Sequence, residues 1–358
     1  MFDLSTKKIT EAMQKTSYNY KIAEYYQTLY MMTDQEKYKN KSIYISNCYK
    51  YFDIDLYKQQ QISDITSISL CHDKFCKNCQ NLLSKQRYIH FKPFLDELSE
   101  EYDLYHVILT VPSVPGWYLK QTLDKMYESF AKFIKIFRRK NTKYEYLNLT
   151  ELGYQGAVRS LELTYSDDKG FHPHFHCLFA IKKELDLQPT TINRFSYDKG
   201  VFVKKFTDFE ITIQKLWYLI YNGIRVTEEH FIEAPGYSCI AELRNYDYKE
   251  VFKYTLKETF DSIMNSELVF LQVEQALRNR RIIQGYGCLF GISDSAEEQI
   301  AQEADKLYLK HIAELTKIED PLHLLVNNQM LKDEIELNPD MKFMSRSSIK
   351  GVINYEEE

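Results

Sequence analysis

The chain has 358 residues, a formal net charge of −5, 29 Tyr and 21 Phe, but only 11 Gly and 8 Pro. This balance excludes a low-complexity chain and leaves room for one large or two modest cored domains. No run reaches the apolar length of a membrane span, and the charged start (Met1-Phe2-Asp3 to Lys7-Lys8) is not a secretory signal, so a soluble cytoplasmic protein with no membrane partner is expected.

The charge is unevenly spread. From Asp294 onward 15 acidic residues stand against 7 basic ones, leaving 39 basic against 36 acidic before that point. A mildly positive body with an acidic tail is compatible with DNA binding.

Residues 1–40 are polar, rich in Tyr and Lys, and partly helical by pattern. Cys48, Cys71, Cys76 and Cys79 come next. Cys76-x-x-Cys79 is half of a zinc-binding spacing, which Cys71 and Cys48 would complete as a Cys₄ set, with His72 a possible substitute. The alternative is a set of free buried thiols. Seven cysteines in all fit a reducing compartment better than a disulfide framework.

Asn81 to Glu101 is predicted helical, with Pro93 inside, and the apolar run Tyr105–Pro112 reads as a core strand. Leu119, Leu123, Met126, Phe130, Phe133, Ile134 and Phe137 then recur at helical spacing, so a long helix is expected over 117–139. Its end carries Lys132, Lys135, Arg138, Arg139, Lys140 and Lys143 without an acid. A solvated face is the plain explanation; Arg138, Arg139 and Lys140 are also candidate phosphate contacts.

Val158–Tyr165 alternates like a half-buried strand, Ser166–Gly170 reads as a turn, and Phe171–Ile181 returns with His172, His174 and His176 at alternate positions. Alternation projects the three imidazoles from one face. If Tyr165 faces Phe171, then Glu162 lies opposite His174 and Ser160 opposite His176, whereas a one-residue slip would bury the glutamate. The resulting carboxylate and imidazoles suit Mg²⁺ or Mn²⁺ acting on phosphate better than a structural zinc.

An irregular stretch is expected over 182–205, then a helix near Thr207–Tyr221 and a strand over 237–243. The segment 247–257 is read as a helix. At 100° per residue Glu250, Tyr254 and Lys257 share a narrow sector with Lys253 beside it, while Val251, Phe252, Thr255 and Leu256 lie opposite. A phenol is a poor nucleophile at its usual pKa near 10, so a neighbouring cation or a metal would have to activate it. Helical patterning recurs in the tail at Ile300, Ala304, Leu307 and His311.

Taken together, the strand ending in Leu109-Thr110, the His-Pro-His-Phe-His run of His172–His176 and the Glu250–Lys257 pattern resemble the HUH-superfamily initiators of rolling-circle plasmids, in their Gram-positive plasmid branch. Cys71, Cys76, Cys79 and the segment Arg280–Gly287 match that branch too, and the resemblance covers roughly residues 45–292. The first motif departs most, with Ile108-Leu109-Thr110-Val111 where Leu-Thr-Leu-Thr is more usual.

The resemblance implies an α+β fold with a mainly antiparallel central sheet, flanking helices and an N-terminal cysteine cluster; the helical C-terminal tail, expected from its patterning, has no counterpart in it. The expected regions are 1–100, a nuclease domain over 101–292, and 293–358. It implies His174, His176 and Glu162 as ligands of Mg²⁺ or Mn²⁺, with His172 as a helper. It implies Tyr254 as nucleophile, Glu250 as the base that activates water, Lys257 beside them and Lys253 as a DNA contact. Zn²⁺ is expected in the cysteine cluster. The function implied is origin-specific nicking and strand transfer through a 5′-phosphotyrosine link. The partners implied are single-stranded or supercoiled plasmid origin DNA and the host helicase and polymerase. A mobilisation relaxase or single-strand transposase shares this chemistry, and a zinc-dependent DNA-binding repressor with a relic nuclease fold is the reading from another class.

Overall fold

The computed structural model describes residues 3–48, 51–57, 61–68, 70–138, 142–147, 149, 152–183, 191–197, 200–235, 239–243, 248–252, 256, 259–292, 322–326 and 347–355. They divide into two compact units, Met1–Leu83 with Glu297–Glu358, and Ser84–Ala296. Among the described residues no helix is long and apolar enough to cross a membrane.

The first unit opens with helices α1 (Asp3–Thr33) and α2 (Glu36–Ser46), followed by an antiparallel hairpin, β1 (Tyr51–Tyr57) and β2 (Gln61–Ile68). The two helices meet where Tyr26 stacks on Tyr38, ring centroids 6.2 Å apart, and Ser42 donates to the Ala23 carbonyl. Helix α3 (Lys77–Glu101) then leads toward the second unit's first strand.

The second unit runs β3 (Tyr102–Thr110), α4 (Gly116–Arg138), β4 (Gly156–Ser166), β5 (Gly170–Lys182), β6 (Thr191–Tyr197), β7 (Gly200–Phe206), α5 (Asp208–Tyr221), α6 (Glu228–Glu233), β8 (Cys239–Leu243), α7 (Phe260–Asn265), α8 (Glu267–Leu277) and β9 (Ile283–Gly287). Five strands form one sheet in the order β8-β3-β5-β4-β9, every neighbouring pair antiparallel. The histidine strand is its middle strand. This is the expected α+β architecture. The stretch expected to be irregular instead contains the β6–β7 hairpin.

Two strands of the tail belong to the first unit. There β11 (Ser347–Tyr355) pairs antiparallel with β1, and β10 (Leu322–Val326) pairs parallel with β11. The helically patterned stretch 300–311 lies outside the described residues.

Why the histidines end up on one face follows from what lies beneath them. Along β5, Phe171, Pro173, Phe175, Cys177 and Phe179 are buried while His172, His174 and His176 are part-exposed. The predicted apolar stripe of α4 covers the buried face, with Phe130 and Phe137 each 5.5 Å from Phe175 and Phe179 respectively, and Phe133 6.3 Å from Phe179. Each such ring contributes about 2–3 kcal/mol by burial, with about 1 kcal/mol more for a good edge-to-face pair. Helix α5 closes the layer. Its start is fixed by a capping box between Thr207 and Glu210, and its Trp217 donates Nε1–H to the Thr110 carbonyl at 2.8 Å.

On the same covered face Arg159 is only 1% exposed. Its guanidinium lies 4.2 Å from the Tyr127 ring centre and 4.8 Å from that of Phe175, and it donates to the Arg281 carbonyl at 3.1 Å. Tyr127 donates to that same carbonyl at 2.8 Å. The Arg280–Gly287 segment therefore serves as a shared acceptor followed by an edge strand. At Gly287 the backbone has φ +65° and a Cβ would sit 2.2 Å from the Gln155 carbonyl, so only glycine fits that turn.

Candidate active site and metal-binding centres

The β4–β5 hairpin adopts the register anticipated from its turn. Tyr165 pairs with Phe171, which sets Glu162 opposite His174 and Ser160 opposite His176. Across the other edge of β5, Thr110 of β3 lies opposite His174 and Ile108 opposite His176. Three adjacent strands thus contribute to one polar face, and His174 sits at its middle.

The side chains on that face are hydrogen-bonded to one another. His176 Nε2 is 2.6 Å from Glu162 Oε2, and its Nδ1 is 3.0 Å from His106 Nε2. An ionised carboxylate can only accept, so the hydrogen of the first bond belongs to His176. The His106 and His176 rings stack at 5.2 Å, and His172 Nε2 is 2.7 Å from Thr110 Oγ1.

Among the described residues neither ring nitrogen of His174 has a hydrogen-bond partner, although its ring lies 4.2 Å from that of His172 and 6.4 Å from that of His176. Burial, reinforced by His172 and His176 and only partly opposed by Glu162, pushes His174 down to about 4. Near neutral pH it is therefore uncharged, the form in which imidazole binds metals.

His106 was not singled out in the sequence. Its signal was an imidazole inside an otherwise apolar strand, at the same parity as Thr110. Because Ile108 pairs with His176, His106 is that histidine's diagonal neighbour, within reach of a long side chain.

A carboxylate and two imidazoles on one face have the donor chemistry for a divalent ion that also takes phosphate oxygens. As the side chains stand, the ligand atoms do not close on one point, since the His176–Glu162 hydrogen bond occupies both partners.

The proposed nucleophile segment is described in part. Where a helix was predicted over 247–257, residues Lys249–Phe252 form a single 3₁₀ turn. Ser84 Oγ donates to the Phe252 carbonyl, a group that a continuing α-helix would use for itself. The turn packs on β4 and β5, the strands carrying Glu162 and the histidines. Glu250 belongs to it, though only its backbone is described. Tyr254, Lys253 and Lys257 lie outside the described residues, as do Arg139 and Lys140; Arg138 ends α4 with its side chain undescribed. Tyr248 is fully buried, its hydroxyl 3.3 Å from Asp96 Oδ1.

The four cysteines of the first unit are more tightly gathered. Their Sγ atoms all lie within 4.8 Å of one another, and no second group of three His, Cys, Asp or Glu ligands is gathered this way among the described residues. Cys48 is 3.5 Å from both Cys76 and Cys79, and Cys71 is 3.7 Å from Cys79. A tetrahedron with Zn–S bonds of about 2.3 Å has edges of about 3.8 Å, so the tetrad fits zinc closely.

The surroundings suit thiolates. The His72 N–H donates to Cys79 Sγ and Asn19 Nδ2 to Cys76 Sγ, both at 3.3 Å. His72 contributes its backbone, with φ 51° just after Cys71. Asp73 shapes the loop by accepting from Phe75 N–H at 2.9 Å, and it is held in turn by Tyr26 and by Lys41, at 3.2 Å. Burial pushes the thiols of Cys48, Cys71 and Cys79 up. Burial opposes ionisation of Cys76 as well, but hydrogen bonds from the other three outweigh it and hold that thiol well below its usual range.

Comparison with known proteins agrees with this layout in one segment. Residues 63–188 match a family described as replication protein, a span that takes in Cys71, Cys76, Cys79, β3 and the whole histidine hairpin. The chain is also similar to the "Protein rep" of Streptococcus pneumoniae serotype 2, 28% identical over 116 residues, which is 31% of this chain and 33% of that protein. It thus spans about a third of that relative's length. No solved structure matches.

Proposed function

We propose that the chain, whose residues 63–188 match a family described as replication protein, initiates rolling-circle replication of a plasmid by nicking its origin. The observation carrying this reading is the polar face of Glu162, His174 and His176 within the matched segment.

In this reading Glu162, His174 and His176 hold Mg²⁺ or Mn²⁺, with His172 as a helper. The bound ion supplies positive charge to the oxygens of the scissile phosphate. His106 and Thr110 orient the imidazoles through their second nitrogens.

The Tyr254 phenol attacks phosphorus in line. Its O–P bond forms as the P–O3′ bond breaks, and its proton ends on the released 3′-hydroxyl. Lys257 and Lys253 favour the phenolate by their charge. The 3′-hydroxyl is then a primer for a host polymerase, with a host helicase unwinding the duplex ahead. Arg138, Arg139 and Lys140 are proposed phosphate contacts. At the end of a round Glu250 activates the water that frees the product.

Incubation with supercoiled plasmid carrying the cognate origin tests the reading. Open circles should form with Mg²⁺ or Mn²⁺, should be suppressed by a chelator, and should carry covalently bound protein on a denaturing gel. Metal-dependent nicking without any protein adduct would reject it.

The cysteine tetrad is proposed to hold a structural zinc, separate from the nicking site. Metal analysis should find about one zinc per chain, unaffected by loss of His174 and His176. Cys76→Ser should lose the ion and lower Tm by at least ~10 °C, because zinc binding to such a site is itself folding free energy. Zinc that disappears with the histidines would assign it to the wrong centre.

A further inference from the structure

A cavity of about 370 Å³ opens at the C-terminal half of α4. Its size falls at the small end of the ~300–1,000 Å³ that sites for single small ligands occupy. Ile136 of α4 and Ile220 in the last turn of α5 line it, each only 8% exposed.

The end of α5 completes the apolar wall. There the Gly223 N–H donates to the Ile220 carbonyl at 3.1 Å and the Ile224 N–H to the Leu219 carbonyl at 2.8 Å, with Gly223 at φ +71°. This left-handed closure turns the chain after the helix and brings Ile224 and Val226 back to the cavity. Tyr144, from the 3₁₀ turn Thr142–Leu147, lines it half-buried.

The charge of the lining is of one sign. Lys132 and Lys135 are exposed, three residues apart and so on one side of the helix. Among the described residues neither is ion-paired, and none of those lining the cavity is acidic. Residues 132–143 hold six basic side chains and no acid. An apolar hollow beside two ammonium groups without counter-charges takes a ligand with an apolar body and an anionic group. Bases taken out of their stack lie between aromatic and apolar side chains in this way, and the phosphate of the nucleotide supplies the anion.

We propose that this cavity binds one nucleotide, its base among Ile136, Ile220, Ile224 and Tyr144 and its phosphate at Lys132 and Lys135. The nucleotide is a unit of a single strand or is free in solution; the basic run up to Lys143 favours the strand, since it offers cations for the phosphates that follow. The proposal rests on the reading above only in taking DNA as the partner. Helix α4 meets the histidine hairpin at its other end, where Val114 and Phe171 exchange two backbone hydrogen bonds of 2.8 Å, and Lys135 lies about 28 Å further along the helix axis.

The full-length protein would be titrated with fluorescein-labelled oligothymidylate, read by anisotropy, and with thymidine monophosphate, read by calorimetry. Ile224→Trp, which fills the cavity, should weaken oligothymidylate binding by roughly 5- to 100-fold, the range for losing one base contact, and leave its salt dependence unchanged. Lys132→Ala/Lys135→Ala should instead lower the slope of log K against log salt by about 1.4, the share of two phosphates on a single strand. Thymidine monophosphate that binds the wild type and not Ile224→Trp would make the ligand a free nucleotide, whereas Ile224-dependent binding of the oligonucleotide alone assigns the site to a strand.

Wild-type oligothymidylate affinity in Ile224→Trp, with Tm preserved and no monophosphate binding to the wild type, would overturn the nucleotide site. If Ile224→Trp unfolds, the exposed lysine pair carries the test, and an unchanged affinity and slope reject the proposal. Decanoate bound as tightly as thymidine monophosphate, and lost in Ile224→Trp, would mark a general site for apolar acids and reject it too. The two readings fail separately. If the wild type does not nick but the Ile224-dependent binding stands, the reaction is misassigned and the nucleotide site is not. If nicking stands and nucleotide binding is indifferent to Ile224 and to the lysines, the cavity alone is wrong.

Discussion

Replacing both His174 and His176 with alanine should abolish nicking of supercoiled origin plasmid, and either single change should lower it by at least ~100-fold, more than a lost outer-shell partner costs. The protein should remain folded. The imidazoles lie on the solvent-facing side of β5, whereas the residues that hold the strand in place, Phe171, Phe175 and Phe179, point into the opposite layer. Glu162→Gln should act in the same direction, since it keeps the carboxylate's shape and one acceptor but removes its charge.

His106 makes the experiment sharper. It hydrogen-bonds His176, so His106→Gln should cost less than loss of a ligand, within the ~10–100-fold typical of outer-shell partners. Agarose gels resolving supercoiled from open circles, with Tm by circular dichroism as a folding control, would measure all four changes. A double histidine variant that nicks normally would remove the metal face from the mechanism.

Much of this face was legible because its signals are local. Alternation across 171–181 and the turn at 166–170 together set which residues oppose one another, and the wrong register would have put Glu162 into the core. The α4 stripe is similarly self-contained, since helical period alone identifies the side that meets β5.

What could not be read depends on distant partners. His106 reaches His176 across 70 positions in the chain. The turn at Lys249–Phe252 is shaped by Ser84, 168 residues earlier, which no periodicity within 247–257 can report. The β6–β7 hairpin was masked by Asn193, Arg194, Lys204 and Lys205, which interrupt its apolar alternation. The Cys₄ set was legible from its residues, but not how the 22-residue gap between Cys48 and Cys71 closes. It is spanned by the β1–β2 hairpin, whose ends return close together and let Cys48 and Cys71 join one cluster.

Tyr254→Phe should eliminate the covalent DNA adduct entirely, because no other atom of that side chain can form the ester to phosphorus. Two other tyrosines, Tyr246 and Tyr248, are near it in sequence. Tyr248 is excluded by its surroundings, since it is fully buried with its hydroxyl toward Asp96, out of reach of a phosphate. Tyr248→Phe should therefore keep the adduct, at a modest cost in stability of about 1 kcal/mol for the lost hydrogen bond. Glu250 has a different expected role. It lies four residues before Tyr254, its backbone in a turn packed on the histidine hairpin, and in the proposed mechanism it activates the water of a second attack on phosphorus. A hydrolytic last cut releases the enzyme, whereas a second tyrosine would leave it attached. Glu250→Ala should then nick and form the adduct at near wild-type level but terminate poorly, accumulating products longer than one plasmid unit. Denaturing gels would follow the adduct and replication assays the product length. If Glu250→Ala loses the first nick as completely as Tyr254→Phe, the carboxylate acts in initiation, and the assignment of attack to one residue and release to the other fails.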